Sequence, residues 1–294
     1  MSGRRTLVTG TDQPLGAAVA TRLRLGNEVV AIGEEFGYDD VADLVMDEQI
    51  DTIIHAGLVR WCPQISVDVI ATMRIAAAAS QPASTVRNVI VASSTMIYPA
   101  SSDAPRLHRE SQELEPSGGS VAAGLVEAEG YVRSLAEANS HLCVAILRLA
   151  DLGGLRPQGP LSRLLRGGFP ALPAIAGFDP PVQLLDLDDA AAALDHAAER
   201  SLTGVYNVAG DGQLWWSAAA RLASRRTFPV AVSTPSWMGL FAHRIGVPLL
   251  DPDTSDTLRF GRVADTAKFE ATGFTPTRSS TQCASDARPS RYNK

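Results

Sequence analysis

Between Arg5 and Leu147, short apolar runs alternate with longer segments of helical composition, and this alternation leaves few folds open to the chain. The runs are Arg5–Thr9, Glu28–Ile32, Thr52–His55, Arg87–Ala92 and His141–Leu147. Between them, Leu15–Leu25, Asp39–Met46, Ser66–Ser80 and Ser120–Asn139 read as helices. A strand that is apolar along its length has to be covered on both faces, and helices placed between successive strands supply that cover. The pattern predicts an α/β fold with a doubly wound, Rossmann-like parallel sheet.

Beyond Leu152 the texture changes. Gly153–Pro181, rich in Gly, Pro and Leu, reads as irregular structure over a cleft. Asp188–Glu199 reads as a helix with Asp188 or Asp189 as its N-cap. Gly204–Ala209 reads as a strand, and Ser217–Ser224 and Trp237–Ile245 as helices. Trp215, Trp216 and Trp237 are expected in the core of a smaller C-terminal lobe.

Composition removes several functional classes. A net charge of −6 argues against nucleic acid and anionic membranes as partners. No apolar run reaches the ~18 residues of a membrane span, and no signal-peptide pattern opens the sequence, so a cytoplasmic location is expected. Cys62, Cys143 and Cys283 are widely spaced, which predicts neither a disulfide framework nor a metal site. Lysine occurs only at Lys268 and Lys294.

The first strand-to-helix turn is Val8-Thr-Gly-Thr-Asp-Gln-Pro-Leu-Gly16, where a dinucleotide fold seats its pyrophosphate against backbone N–H groups. Further segments follow in order: Ile54-His-Ala-Gly57, Val91-Ala-Ser-Ser-Thr-Met-Ile-Tyr98, Ile146-Leu-Arg-Leu-Ala-Asp-Leu-Gly153, Leu187-Asp-Asp-Ala-Ala191, Val205-Tyr-Asn-Val-Ala-Gly210 and Thr272-Gly-Phe-Thr-Pro276. Together they resemble the extended short-chain dehydrogenase/reductase superfamily, and within it the NAD-dependent epimerase/dehydratase family, in a divergent actinobacterial branch. The resemblance runs from Thr6 to Pro276. It implies a dinucleotide-binding-type domain over residues 1–154. Residues 155–276 would be mostly a substrate lobe, with about 182–210 returning to the core, and 277–294 a polar tail.

The resemblance also implies a set of cofactor contacts: Gly10, Thr11, Gln13, Leu15 and Gly16 in the turn, and His55, Ala56 and Gly57 after the third strand. The acid that the family places at the end of the second strand falls at Gly33, so Glu34, followed by Glu35, is the candidate for the adenosine ribose. Either glutamate would repel a 2′-phosphate, so NAD(H) is expected over NADP(H). Three departures weaken the turn. Gln13 replaces a glycine, Asp12 adds negative charge beside the phosphates, and Pro14 removes a backbone donor.

At the reaction centre, the family's tyrosine and lysine stand four residues apart on one helix. Aligned on Glu129, those positions are Val121 and Leu125, and Tyr131 lies ten residues beyond Val121, ~15 Å along the axis. The family's proton-transfer pair is therefore expected to be lost. Ser94, four residues before Tyr98, matches the family's substrate-polarising position, and Ser93 and Thr95 keep that position polar whatever the exact register. His108 is a candidate acid–base group, and Arg60, Trp61, Arg109 and Glu110 are cleft-side candidates. Asp151 follows the fifth strand and could serve as a cleft carboxylate, but before Gly153 and Gly154 it reads first as a turn former.

The expected function is that of a divergent NAD(P)-dependent epimerase/dehydratase-like protein acting on a small organic substrate, a nucleotide sugar or a secondary metabolite. Two alternatives stand beside it: the same scaffold turned to a non-redox cyclisation, elimination or rearrangement, and a non-catalytic ligand-binding or partner subunit. A homodimer through the helix over Ser120–Asn139, the family's fifth, is expected as well.

Overall fold

A computed structural model of the chain describes residues 4–33, 40–61, 65–114, 120–167, 171–230 and 252–288. Six of the described strands build the central sheet: β1 (Arg5–Thr9), β2 (Glu28–Ile32), β3 (Thr52–His55), β4 (Asn88–Ser94), β5 (Cys143–Leu149) and β6 (Gly204–Val208). They pair parallel in the order β6-β5-β4-β3-β1-β2. Chain order reverses between β1 and β3. The crevice at their carboxyl ends is thus the switch point at which an open sheet takes its ligands.

Helices α1 (Pro14–Leu23), α2 (Val41–Asp47), α3 (Val69–Ala79), α4 (Ser120–Ala138), α5 (Pro160–Arg166) and α6 (Leu187–Glu199) follow in chain order. In α1, Leu15, Val19, Ala20 and Leu23 are buried, one stripe at helical spacing. That stripe packs against α6, whose buried Ala190, Ala191, Ala193 and Ala197 let the two helices approach closely. A second row runs from α2 through α3 to α4.

The structure corrects several local expectations. The N-cap of α6 is Asp186, which accepts from Asp188 N at 2.9 Å. Asp189 instead accepts from Thr277 N, Thr277 Oγ1 and Arg278 N. Helix α3 begins only after Asp68, whose side chain caps it through Ala71 N, while Ser66–Val67 pairs antiparallel with Val59–Arg60. The stretch expected to be irregular, Gly153–Pro181, contains α5 and a strand, Leu172–Ile175, paired parallel with Thr227–Val230.

The C-terminal lobe has its own apolar cluster, in which Leu161, Leu165, Leu172, Leu214 and Trp216 meet Leu258 and Cys283. Trp216 belongs to this core and donates Nε1–H to Pro173 O at 2.8 Å, whereas Trp215 is exposed. Helices α7 (Trp216–Leu222), α8 (Pro252–Phe260), α9 (Ala267–Glu270) and α10 (Ser280–Asp286) complete the described elements. The region read as a polar tail therefore carries a helix. Ser279 and Gln282 close a capping box at its start, and Cys283, Ala284 and Ala287 are buried in the lobe. Glu34, Glu35, Cys62, Trp237 and the helix expected over Trp237–Ile245 lie outside the described residues.

Candidate functional site

The turn between β1 and α1 is built by backbone contact. Gly10 has φ +71°, and a Cβ there would lie 2.5 Å from Gly57 Cα. A Cβ on Gly16 would lie 2.2 Å from Gly10 O. Only glycine at these positions lets the turn, the start of α1 and the exit of β3 touch. Thr11 N donates to Ile32 O at 3.1 Å and Gln13 N to Gly10 O at 3.0 Å, which pins the turn against β2. Leu15 and Ala56 are buried beneath it.

Gln13 is the N-cap residue of α1, yet its side chain makes no capping hydrogen bond. It is 8% exposed, and its Nε2 has no partner among the described residues. A buried amide donor without an acceptor costs about 1–3 kcal/mol, and an anion at the helix N-terminus would supply the acceptor. Pro14 occupies the first turn of the helix, where its missing N–H removes no intrahelical bond. Asp12 does not stand uncompensated beside the phosphate position, because Arg60 Nη1 lies 3.5 Å from its Oδ2. The glycine cradle and the orphaned amide fit a dinucleotide pyrophosphate.

His55 takes part through its fold rather than its side chain. Its Nδ1 is 2.7 Å from Thr9 Oγ1 and its Nε2 3.1 Å from Thr72 Oγ1, so it ties β1, β3 and α3 together. Burial pushes its pKa down to about 3, and the imidazole is neutral.

A narrow cavity of about 30 Å³ opens at the carboxyl ends of β4 and β5, bordered by Trp61, Ser94, Thr95, Asp151, Gln183 and Arg262. Ser94 Oγ accepts from Met96 N at 3.2 Å, which caps the single 3₁₀ turn Thr95–Ile97. Its own O–H finds no acceptor among the described residues. Asp151 is no simple turn former. Its Oδ2 accepts from Leu161 N at 2.8 Å, and its Oδ1 accepts from Ser162 N at 3.0 Å and from Ser162 Oγ, so it caps α5 from nine residues before the helix starts. Burial outweighs those bonds and pushes its pKa up to about 6.

His108 is not brought to this cavity. It is 1% exposed, stacked on Tyr98 with centroids 4.7 Å apart, and its Nδ1 is 2.9 Å from Gln112 Oε1. Burial, and then Arg262, lower its pKa. Its side chain is held by Tyr98 and Gln112 and is not among the residues that border the cavity. Arg109 pairs with Asp265 at 3.3 Å, and Glu110 Oε1 accepts from Asn207 N. Trp61 borders the cavity, with its carbonyl taken by Arg163 Nη1.

Behind Ser94 lies a polar network that the sequence reading does not contain. Arg148 is fully buried and grips Glu129 with Nε and Nη2, at 3.0 and 2.6 Å. Its Nη1 donates to Tyr98 Oη at 2.8 Å, and Tyr98 Oη donates to Asn207 Oδ1 at 2.7 Å. Ser93 Oγ donates to Glu129 Oε1 at 2.7 Å. The network joins β4, β5, β6 and α4 directly under the cleft floor. On the same α4, Val121 is 6% exposed and Leu125 fully buried, both in the main apolar core. Tyr131 is partly exposed at 38%.

Comparison with known proteins bears on this arrangement. The model of the NAD dependent epimerase/dehydratase family matches residues 6–209. An uncharacterized protein of Mycobacterium tuberculosis (strain ATCC 25618 / H37Rv) is 30% identical over 293 positions, covering 90% of this chain and 77% of that one. Among solved structures, the dTDP-glucose 4,6-dehydratase of Bacillus anthracis str. Ames, in complex with NAD, superposes with a TM-score of 0.71 at 13% identity, covering 97% of this chain and 95% of that one. The dTDP-4-dehydrorhamnose reductase of the same organism, in complex with NADP, gives 0.70 at 16% identity, covering 96% and 97%. At such identities the structures attest the fold.

Proposed function

The chain belongs to the NAD-dependent epimerase/dehydratase family, and on that premise we propose that it is a divergent enzyme of the family, working without the tyrosine–lysine pair. It holds a nicotinamide dinucleotide over the β1–α1 turn, NAD in preference to NADP, and acts on a small organic substrate in the Ser94 cleft. A nucleotide sugar or a secondary metabolite is the substrate class, the first because sugar nucleotides name several of the solved neighbours.

The observation that carries this reading is the glycine cradle. Gly10, Gly16 and Gly57 meet backbone to backbone, and beside them Gln13 holds an amide with no acceptor among the described residues. A nicotinamide held by the β1–α1 turn would supply hydride chemistry. The chain's own groups bind and orient the substrate and manage the proton. Ser94 already accepts from Met96 N and turns its O–H to a substrate carbonyl or hydroxyl oxygen. Asp151, its pKa pushed up to about 6 by burial, borders the cleft mostly ionised at neutral pH and could accept a proton there. Val121 and Leu125 offer apolar contact and no proton.

The apolar pair Val121 and Leu125 also favours a second reading. The scaffold would then bind a small molecule for a non-redox step, or bind it without turnover.

One experiment separates the two. The purified protein is denatured and released nucleotide sought by mass spectrometry, and the apoprotein is then titrated with NAD(H) and NADP(H) by calorimetry. The first reading expects binding in the micromolar-to-millimolar range usual for working enzymes. It also expects Ser94→Ala to keep that affinity while losing turnover by about 100-fold or more. No binding at millimolar nucleotide would remove hydride chemistry and leave the second reading.

A further inference from the structure

Ser93 and Tyr98, on either side of the cleft serine, are hydrogen-bonded to the two halves of one buried ion pair. We infer that Arg148 and Glu129 are positioning residues, which clamp the segment 93–98 and so set Ser94 on the cleft floor. The inference rests on the reading of Ser94 as the ligand's contact and deepens it.

Between the two anchors, Ser94, Thr95 and Met96 border the cavity, and Ile97 turns into the apolar core. At the near end, Ser93 stands opposite Arg148 across the β4–β5 ladder, and its Oγ donates to Glu129 Oε1 at 2.7 Å. At the far end, Tyr98 Oη accepts from Arg148 Nη1 at 2.8 Å, and the guanidinium carbon lies 5.0 Å from the centre of the Tyr98 ring. Nε and Nη2 of the same guanidinium close on Glu129 at 3.0 and 2.6 Å. The turn's own hydrogen bonds are local, from Met96 N to Ser94 Oγ and from Tyr98 N to Thr95 O. They shape the turn but do not tie it to β5 or α4. The ion pair does both, since Arg148 comes from β5 and Glu129 from α4.

An apolar pair of similar volume would hold β5 to α4 about as well, because a buried ion pair seldom repays the loss of its hydration. What it would not supply is direction. Apolar contact is non-directional, whereas a planar guanidinium fixes each of its N–H groups along one line. The far anchor is carried on to β6, where Asn207 Oδ1 accepts from Tyr98 Oη at 2.7 Å. One turn along α4, Arg133 Nη2 donates to Glu129 Oε2 at 2.9 Å and helps to hold the carboxylate in place. Exchanging the pair for apolar residues would thus leave the joint packed and release the turn that carries Ser94.

The test combines Arg148→Met with Glu129→Leu in the full chain and reads amide hydrogen exchange by peptide mass spectrometry, beside urea denaturation. The double variant is expected to keep a urea midpoint close to that of the wild type. A peptide spanning residues 94–98 is expected to exchange about tenfold faster or more, while peptides from β5 keep the wild-type rate. Ser93→Ala and Tyr98→Phe each cut one anchor and leave both charges in place, so they decide the matter if the double variant does not fold. Each is expected to speed the same peptide about threefold. Wild-type exchange over 94–98 in the folded variants, or a speeding shared equally by β5, would overturn the clamp and leave the role of Ser94 standing. That role fails separately, if Ser94→Ala keeps full turnover.

Discussion

His55 has no solvent exposure and sits between two threonine hydroxyls, and burial holds its pKa at about 3. In the unfolded chain the imidazole returns to its ordinary value of 6.5. Between those values the unfolded state binds a proton that the native state refuses, so stability is lost as pH falls through that window. Asp151 acts in the opposite sense. Its folded pKa of about 6 lies above the ordinary 3.8, so the native state binds the extra proton, and stability declines as pH rises from 4 to 6. The displacement at His55 is the larger, so acid destabilises on balance, with a contribution on the order of a few kcal/mol. His55→Gln, which keeps a donor and an acceptor for Thr9 and Thr72, is expected to flatten the acid limb between pH 6.5 and 4. Thermal midpoints measured at half-unit pH steps would show it, and a slope equal to that of the wild type would refute the assignment.

At the scale of elements, the joint between β5 and α4 is ionic. Arg148 and Glu129 bury both charges, and Tyr98, Ser93 and Asn207 satisfy the remaining atoms. Removing Arg148 leaves the buried Glu129 facing only Arg133, half-exposed at 2.9 Å, so Arg148→Met is expected to cost about 3 kcal/mol. Arg148→Met combined with Glu129→Gln should recover most of that loss. Urea denaturation of the three proteins checks it, and additive losses would contradict the coupling. The same joint explains what was legible in the sequence. The central strands were, because each is an apolar run whose partners are its neighbours in the pattern. Gly10, Gly16 and Gly57 were too, because each imposes a local backbone demand. The end of β5 was not: a charge at Arg148 reads as the finish of a strand, and only Glu129, 19 residues back, makes it interior. The capping role of Asp151 was hidden in the same way, since a turn signal before two glycines outweighs, to a local reading, a cap formed at Leu161 and Ser162. Gln183 and Arg262 reach the cleft from distant segments and leave no spacing to find.

At the scale of the whole molecule, the described residues form two apolar clusters with the cleft between them. Trp61, Ser94 and Thr95 come from the side of the sheet, and Leu161, Thr254 and Thr257 from the lobe. The lobe is closed by residues near the end of the described chain. Cys283 and Ala284 fill its core, and Thr277 and Arg278 satisfy the buried carboxylate of Asp189. Deleting 277–294 is expected to open the lobe while the sheet stays folded. Limited proteolysis should then cut between residues 155 and 230, and calorimetry should show two transitions. One sharp transition with no new cuts would show that α10 is dispensable. The lobe cluster runs from Leu161 to Ala287, so its closing contacts join segments more than a hundred residues apart. Loops of that length close slowly. On refolding, the sheet should therefore appear first and the lobe in a later phase. Since the cleft has walls from both, the capacity to bind a ligand would be the last property the chain acquires.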